Sequence, residues 1–281
     1  MTRSIVRSAA CAVAALCGAL VLGVLTAGAA DSPEVLLATT TSVRDSGLLD
    51  AILPPFTGRT GIHVKLIAVG SGAALELARK GDADLVLTHA PESEEKLVAL
   101  GALTHRRPFA QNYFLLAGPA DDPARVKEAP SAVDAMKRIA AAKAPFATRA
   151  DESGTHQRER KLFAAAGLPA DPTWDGVLRT GSGMGATLQV AGEKRAYVLA
   201  DEGTFRAFRE RTGLVALSGP DPALLNVYSV LLVPAGRFPA GRIHAAEAEK
   251  LAAYLVEPAT LDRIAAFGAV AGAPPLFEPL R

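Results

Sequence analysis

From Val35 onward, short apolar runs alternate with stretches of helical periodicity, and this alternation restricts the fold more than any other feature. Val35-Leu36-Leu37-Ala38 reads as a buried strand that ends at Thr39, and residues 63–69 and 84–87 read as the next two strands. Helices are expected over 47–57, with Pro54-Pro55 disturbing the end, over 73–80, stopped by Gly81, and over 91–100, stopped by Gly101. Strand, helix, strand in units this short needs crossover connections, hence a parallel sheet and the α/β class. An aromatic content of 5%, against abundant Ala, Leu, Val and Gly, suits such layers.

A further strand is expected over 113–117, and Gly118-Pro119-Ala120-Asp121-Asp122-Pro123 then breaks the chain. Beyond it the pattern predicts a helix over 131–142, a strand over 145–149, helices from Gly154 and over 185–194, and a strand over 197–199. A long apolar strand over 227–233 would return the chain to the first domain, where helices over 244–256 and 259–267 would pack. The expected organisation is two parallel or mixed-sheet lobes joined by two crossover strands. Lobe 1 takes residues 31–117 and 219–281, and lobe 2 takes residues 118–218. A ligand would lie between them, outside the carboxyl ends of the parallel strands.

Residues 1–30 read as a secretory signal peptide: Arg3 and Arg7, an apolar run from Ala9 to Leu25, then Ala27-Gly28-Ala29-Ala30 as a cleavage site after Ala29 or Ala30. A permanent anchor is the alternative, but the run is short for a span. Cys11 and Cys17 both lie in this segment, so a cleaved protein has no disulfide and no Cys-ligated metal. Leu16 stands before Cys17 where lipidation would want a small residue. The formal net charge is +1, and losing Arg3 and Arg7 with the leader lowers it to about −1. That balance gives no support to a nucleic-acid or membrane-surface partner. Any anion site must be local.

Four segments place small hydroxyl and glycine residues at predicted helix starts: Thr39-Thr40-Thr41-Ser42, Gly70-Ser71-Gly72, Ser153-Gly154-Thr155 and Gly181-Ser182-Gly183-Met184-Gly185. A helix start offers unpaired N–H groups and a positive dipole end, hydroxyls add donors, and glycine lets backbone approach closely. Aimed at one point, these segments would cage an anion. Ordinary capping accounts for one hydroxyl at a helix start, and four in a row exceed it. Arg149, at the end of a predicted strand, can aim its guanidinium at an oxyanion or sit in a surface salt bridge, and Asp151 can cap the following helix or fix Arg149. Gly183 and Gly185 supply amides or serve only lobe closure. The hydroxyl and glycine runs contain no acid, although Asp45 and Asp151 lie nearby. A site of donors alone suits a fully ionised tetrahedral oxyanion such as sulfate, molybdate or tungstate.

Metal and nucleophile chemistry find little footing. His63, His89, His105, His156 and His244 are scattered without a ligand spacing, so no metal beyond one carried in an oxyanion and no cofactor is expected. His156 stands three residues after Ser153 without a nucleophile elbow, and an exported hydrolase using that pair is kept as the alternative function. A ligand-sensing regulator is a third reading, opposed by the leader and by the lack of a helix-turn-helix.

Several motifs, in order along the chain, resemble the tungstate-binding proteins of bacterial ABC importers. They are Ala38-Thr39-Thr40-Thr41-Ser42 with Asp45-Ser46-Gly47-Leu48-Leu49, Ala68-Val69-Gly70-Ser71-Gly72, Gly81-Asp82-Ala83-Asp84 and His89-Ala90-Pro91-Glu92. The match continues through Asn112-Tyr113-Phe114, Ala144-Pro145-Phe146, Asp151-Glu152-Ser153-Gly154-Thr155-His156, Gly183-Met184-Gly185-Ala186-Thr187-Leu188 and Asn226-Val227-Tyr228. The resemblance implies a two-lobed periplasmic binding protein fold of type II that closes on one dehydrated oxyanion. It implies a non-enzymatic, extracytoplasmic, monomeric protein that delivers tungstate, or molybdate, to an inner-membrane permease. By motif match the ligand contacts fall on Thr39, Thr40, Thr41, Ser42, Ser71, Gly72, Arg149, Ser153, Gly154 and Thr155. The chain departs from the family at Ala150, where Gly is frequent, which bears on the conformation of that loop.

Overall fold

The apolar runs become strands of one mixed sheet, in the order His63–Val69, Glu34–Thr40, Leu85–Thr88, Leu225–Leu232, Thr104–Gly118, Tyr197–Asp201, Phe146–Thr148 and Val177–Arg179. The computed structural model describes residues 33–269 and 275–281, and the expected leader lies outside the described residues. The first part of the chain gives β1 (Glu34–Thr40), α1 (Thr41–Asp45), α2 (Leu48–Thr60), β2 (His63–Val69), α3 (Ser71–Lys80), β3 (Leu85–Thr88) and α4 (Pro91–Ala99). The long β4 (Thr104–Gly118) leads to α5 (Ala132–Ala141), β5 (Phe146–Thr148), α6 (Gly154–Ala165), β6 (Val177–Arg179), α7 (Met184–Glu193) and β7 (Tyr197–Asp201). Then follow α8 (Glu202–Thr212), β8 (Val215–Ala216), β9 (Leu225–Leu232), α9 (Ala245–Leu255), α10 (Pro258–Ala266) and β10 (Glu278–Pro279).

The expected parallel units are present: β1 pairs in parallel with β2 and β3, and β5 with β6 and β7. Register makes the strand ends level, since Thr40 pairs with Val69 and Thr39 with both Ala68 and Leu87. The loops that follow these strands therefore emerge at a common edge.

The centre of the sheet is not parallel. β9 runs antiparallel to β3 and β4, and β4 antiparallel to β7. The apolar strand expected over 113–117 is the end of a 15-residue strand whose first half is half-exposed and carries His105, Arg106 and Arg107, which hides it from a hydropathy reading. α8 and β6 also escape that reading, because five of the eleven residues of α8 are charged and β6 is only three residues long.

Pro54 and Pro55 do not end α2, which continues to Thr60. The carbonyls they leave without a helical partner belong to Asp50 and Ala51, both exposed and open to water. Leu49, Ile52, Leu53 and Phe56 hold the helix to the core, and the Tyr254 hydroxyl donates to the Ile52 carbonyl. Buried apolar side chains from residues 35–110 and 228–277 cluster separately from those of residues 114–224.

α7 and α8 pack closely enough that a Cβ on Gly192 would stand 2.5 Å from the Thr212 carbonyl oxygen. Gly192→Ala is expected to destabilise the fold by about 1–3 kcal/mol, although alanine is the better helix former. Urea unfolding reads the difference, and an unchanged midpoint would show that this contact relaxes freely.

Candidate oxyanion site

At the common edge, β1 runs into α1 at Thr40-Thr41, β2 into α3 at Gly70-Ser71, β3 into His89 and α4, and β5 into Arg149 and α6. β6 is followed by Gly183, the N-cap of α7. The structure brings these segments together. The Gly154 N–H donates to Ser71 Oγ at 3.1 Å. Gly70 and Gly72 lie against the carbonyls of Asp151 and Glu152, each oxygen 3.5 Å from where a Cβ would stand. Gly183 meets Thr41 in the same manner, with 3.3 Å to Thr41 Oγ1, and Gly154 meets the His89 ring at 3.0 Å. Arg149 Nε donates to the Ser182 carbonyl at 3.2 Å.

Within this cluster the hydroxyls divide by partner. Thr39 Oγ1 donates to the Leu87 carbonyl and ties β1 to β3. Thr40 Oγ1 caps α1 by accepting the Val43 N–H and lies 3.0 Å from Ser42 Oγ, which lies 3.0 Å from His89 Nε2. Ser153 caps α6 by accepting the His156 N–H. Thr41 Oγ1 and Thr155 Oγ1 are buried without a hydrogen-bond partner. α3 and α7 start at Gly70 and Gly183 and have no side-chain cap, so their leading amides meet no capping oxygen. Unpartnered buried donors beside uncapped helix starts are what an anion needs.

Arg149 is only 2% exposed, and its second anchor is Asp151, whose Oδ2 accepts from the guanidinium at 2.5 Å while Oδ1 accepts the Ser153 N–H. The acid flagged near the donor runs is thus inside the cluster. Asp45 is not, being paired with Arg44 in a half-exposed bridge. Ala150 and Glu152 both adopt left-handed backbone, with φ of 47° and 56°. This is the physical content of the departure at Ala150, because glycine occupies that region without the roughly 1–2 kcal/mol that a Cβ adds. His156 does not face Ser153 as a base would: its Nδ1 accepts the Glu152 N–H at 3.1 Å. Among the described residues, no group of three or more His, Cys, Asp or Glu is placed to hold a metal.

The residue reading passed over several buried polar groups. His89 occupies, after β3, the place that Thr41 and Gly70 hold after β1 and β2, and that equivalence was its signal. Burial first, and Arg149 second, lower its pKa to about 4, so the ring is neutral. Asn112, Asn226 and Tyr228 back it from β4 and β9. Asp201 caps α8, and burial raises its pKa to about 6.

Glu159 lies beneath the end of β5, where it accepts the Thr148 hydroxyl at 2.5 Å and the Arg149 N–H at 3.4 Å. Burial outweighs these hydrogen bonds and the nearby guanidinium, and raises its pKa from 4.5 to about 8. The unfolded chain releases this proton near pH 4.5 and the folded chain only near pH 8. Stability from Glu159 is therefore fully present below the unfolded value and falls as pH rises through the folded one. Urea unfolding between about pH 5 and pH 8 should show wild-type stability falling relative to Glu159→Gln, by on the order of a few kcal/mol. Parallel pH profiles would mean that Glu159 is ionised in the fold.

Comparison with known proteins identifies the family. The family described as a PBP superfamily domain matches residues 27–259. The chain is 38% identical to the tungstate-binding protein TupA of Peptoclostridium acidaminophilum, over 88% of this chain and 85% of that protein. The crystal structure of the tungstate ABC transporter from Geobacter sulfurreducens is similar with a TM-score of 0.76 and 39% identity, covering 83% of this chain and 98% of that one. The tungstate-binding protein TupA from Desulfovibrio alaskensis G20 is similar with a TM-score of 0.73 and 36% identity, covering 88% and 99%. The chain belongs to the PBP superfamily and, within it, to the family of the TupA tungstate-binding proteins.

Proposed function

We propose that this protein captures tungstate, or the closely similar molybdate, and delivers it unchanged to the permease of an ABC importer. The observation that carries the reading is the meeting of uncapped helix starts, two unpartnered buried hydroxyls and the buried Arg149 guanidinium in one cluster. The anion is held by donors from residues 39–42, Ser71, Gly72, Arg149 and residues 153–155, with the amides of Gly183 and Gly185 closing the cage. Hydrogen bonds to a charged group contribute roughly 1.5–3 kcal/mol each, so several together outweigh the dehydration of a dianion. No step of bond making is required of Ser153 or His156.

Two lobes, residues 31–117 with 219–281 and residues 118–218, close over the anion. The separation of the apolar clusters near residues 110–114 and 224–228 supports that division. The protein acts as an exported monomer after cleavage of its leader. Among the described residues no helix is long and apolar enough to cross a membrane, which is compatible with that location.

Calorimetric titration of the purified protein should show one site that takes tungstate in preference to sulfate and phosphate. Arg149→Lys keeps the charge but loses the planar fork, and should weaken tungstate binding by about ten- to a hundredfold with an unchanged circular dichroism spectrum. A wild-type protein that binds no tungstate would sink the proposal, and full affinity in the lysine variant would remove Arg149 from the site.

A further inference from the structure

The starts of α3 and α6 meet directly. Ser71, the first residue of α3, is fully buried, and its Oγ accepts the N–H of Gly154, the first residue of α6, at 3.1 Å. A first-turn amide has no acceptor in its own helix, and here Ser71 supplies one. Glycine on both sides permits the approach. A Cβ on Gly154 would stand 3.0 Å from the His89 ring, and one on Gly70 or Gly72 would stand 3.5 Å from the Asp151 or Glu152 carbonyl oxygen. A backbone N–H can only donate, so Ser71 Oγ is the acceptor and its own proton stays available. Among the described residues, the bond to Gly154 is the one hydrogen bond that Ser71 Oγ makes. Other contacts here between residues 31–117 and 118–218 are weaker. Lys161 of α6 pairs with Glu92 of α4, but these side chains are 44% and 74% exposed, and such a pair contributes at most about 1 kcal/mol. Thr204 Oγ1 lies 3.4 Å from the Ser42 carbonyl and 3.0 Å from Asp201 Oδ1, so its single proton goes to the nearer carboxylate.

Two helix starts brought together present like partial charges to one another, a repulsion that an anion between them offsets. A ligand oxygen that takes the Ser71 proton also makes Ser71 Oγ a better acceptor for Gly154, because each bond in such a chain polarises the next. We propose that Ser71 joins capture to closure: the Gly154 amide of the second lobe closes onto its oxygen, and its proton goes to the anion. The Gly154 amide is thereby engaged within the protein, and residues 153–155 reach the ligand through Ser153 and Thr155. The inference rests on the two-lobed oxyanion reading for the part played by the ligand, whereas the bond between Ser71 and Gly154 does not.

Amide hydrogen exchange in the ¹⁵N-labelled protein reads the bond. In Ser71→Ala the Gly154 amide should exchange about tenfold or more faster than in wild type, with and without tungstate. The His156 amide of the same helix start, which Ser153 caps, should keep its rate. Equal Gly154 rates in the two proteins would overturn the inference, and so would a matching acceleration at His156, which means that α6 frays as a whole. Tungstate should slow Gly154 further in wild type but not in the variant, and a wild-type rate that bound tungstate leaves unchanged would separate closure from capture and overturn the proposal. Tungstate affinity should fall by about tenfold or more in Ser71→Ala, and a loss below about threefold would overturn it too. A protein that binds no tungstate in any form refutes the oxyanion reading, while the Gly154 rates are still compared on the free chain.

Discussion

A guanidinium that is 2% exposed must be neutralised where it lies, and the surroundings of Arg149 follow from that demand. Asp151 supplies the countercharge and the Ser182 carbonyl takes the Nε proton. Two of its titratable neighbours are kept neutral by burial: His89 loses its proton early, while Glu159 holds its proton well above the usual carboxylate range. Were Glu159 ionised, the end of β5 would hold two carboxylates against one cation, and a dianion would be repelled. The low dielectric that makes Arg149 a strong donor is the same condition that silences the acid beneath it.

Glycine determines how closely the loops approach. Gly70, Gly72, Gly154 and Gly183 each stand at a contact with another loop of the edge, where a methyl group would touch a carbonyl, a ring or a hydroxyl. Two of them, Gly70 and Gly183, are also the N-caps that leave α3 and α7 without a side-chain oxygen over their first amides. Close approach and free donors therefore come from the same substitution of hydrogen for a side chain.

How far the sequence could be read depended on whether a local pattern determined each feature. Parallel strands at 34–40, 63–69 and 85–88 show as apolar runs followed by punctuation, so the edge that collects the loops was legible, and with it Thr41, Ser71, Arg149 and Gly154. The antiparallel β4–β9 centre was not, because the residues of β4 before Phe109 are half-exposed and charged and pair with a strand more than a hundred residues away. Ser42 and His89 were visible as residues but not as partners, since they meet only when β1 and β3 lie side by side. The left-handed turn at Ala150 showed only through the resemblance, which has glycine there frequently, since alanine itself carries no signature of such a backbone.

The uncapped starts of α3 and α7 bear on how such a pocket can drift over evolutionary time. Peptide N–H groups are common to every residue but proline, so point substitutions at those positions leave the donors in place as long as the loops keep their spacing. Inherited variation in ion preference must then enter through the few side chains that reach inward, while the amide scaffold is passed on unchanged.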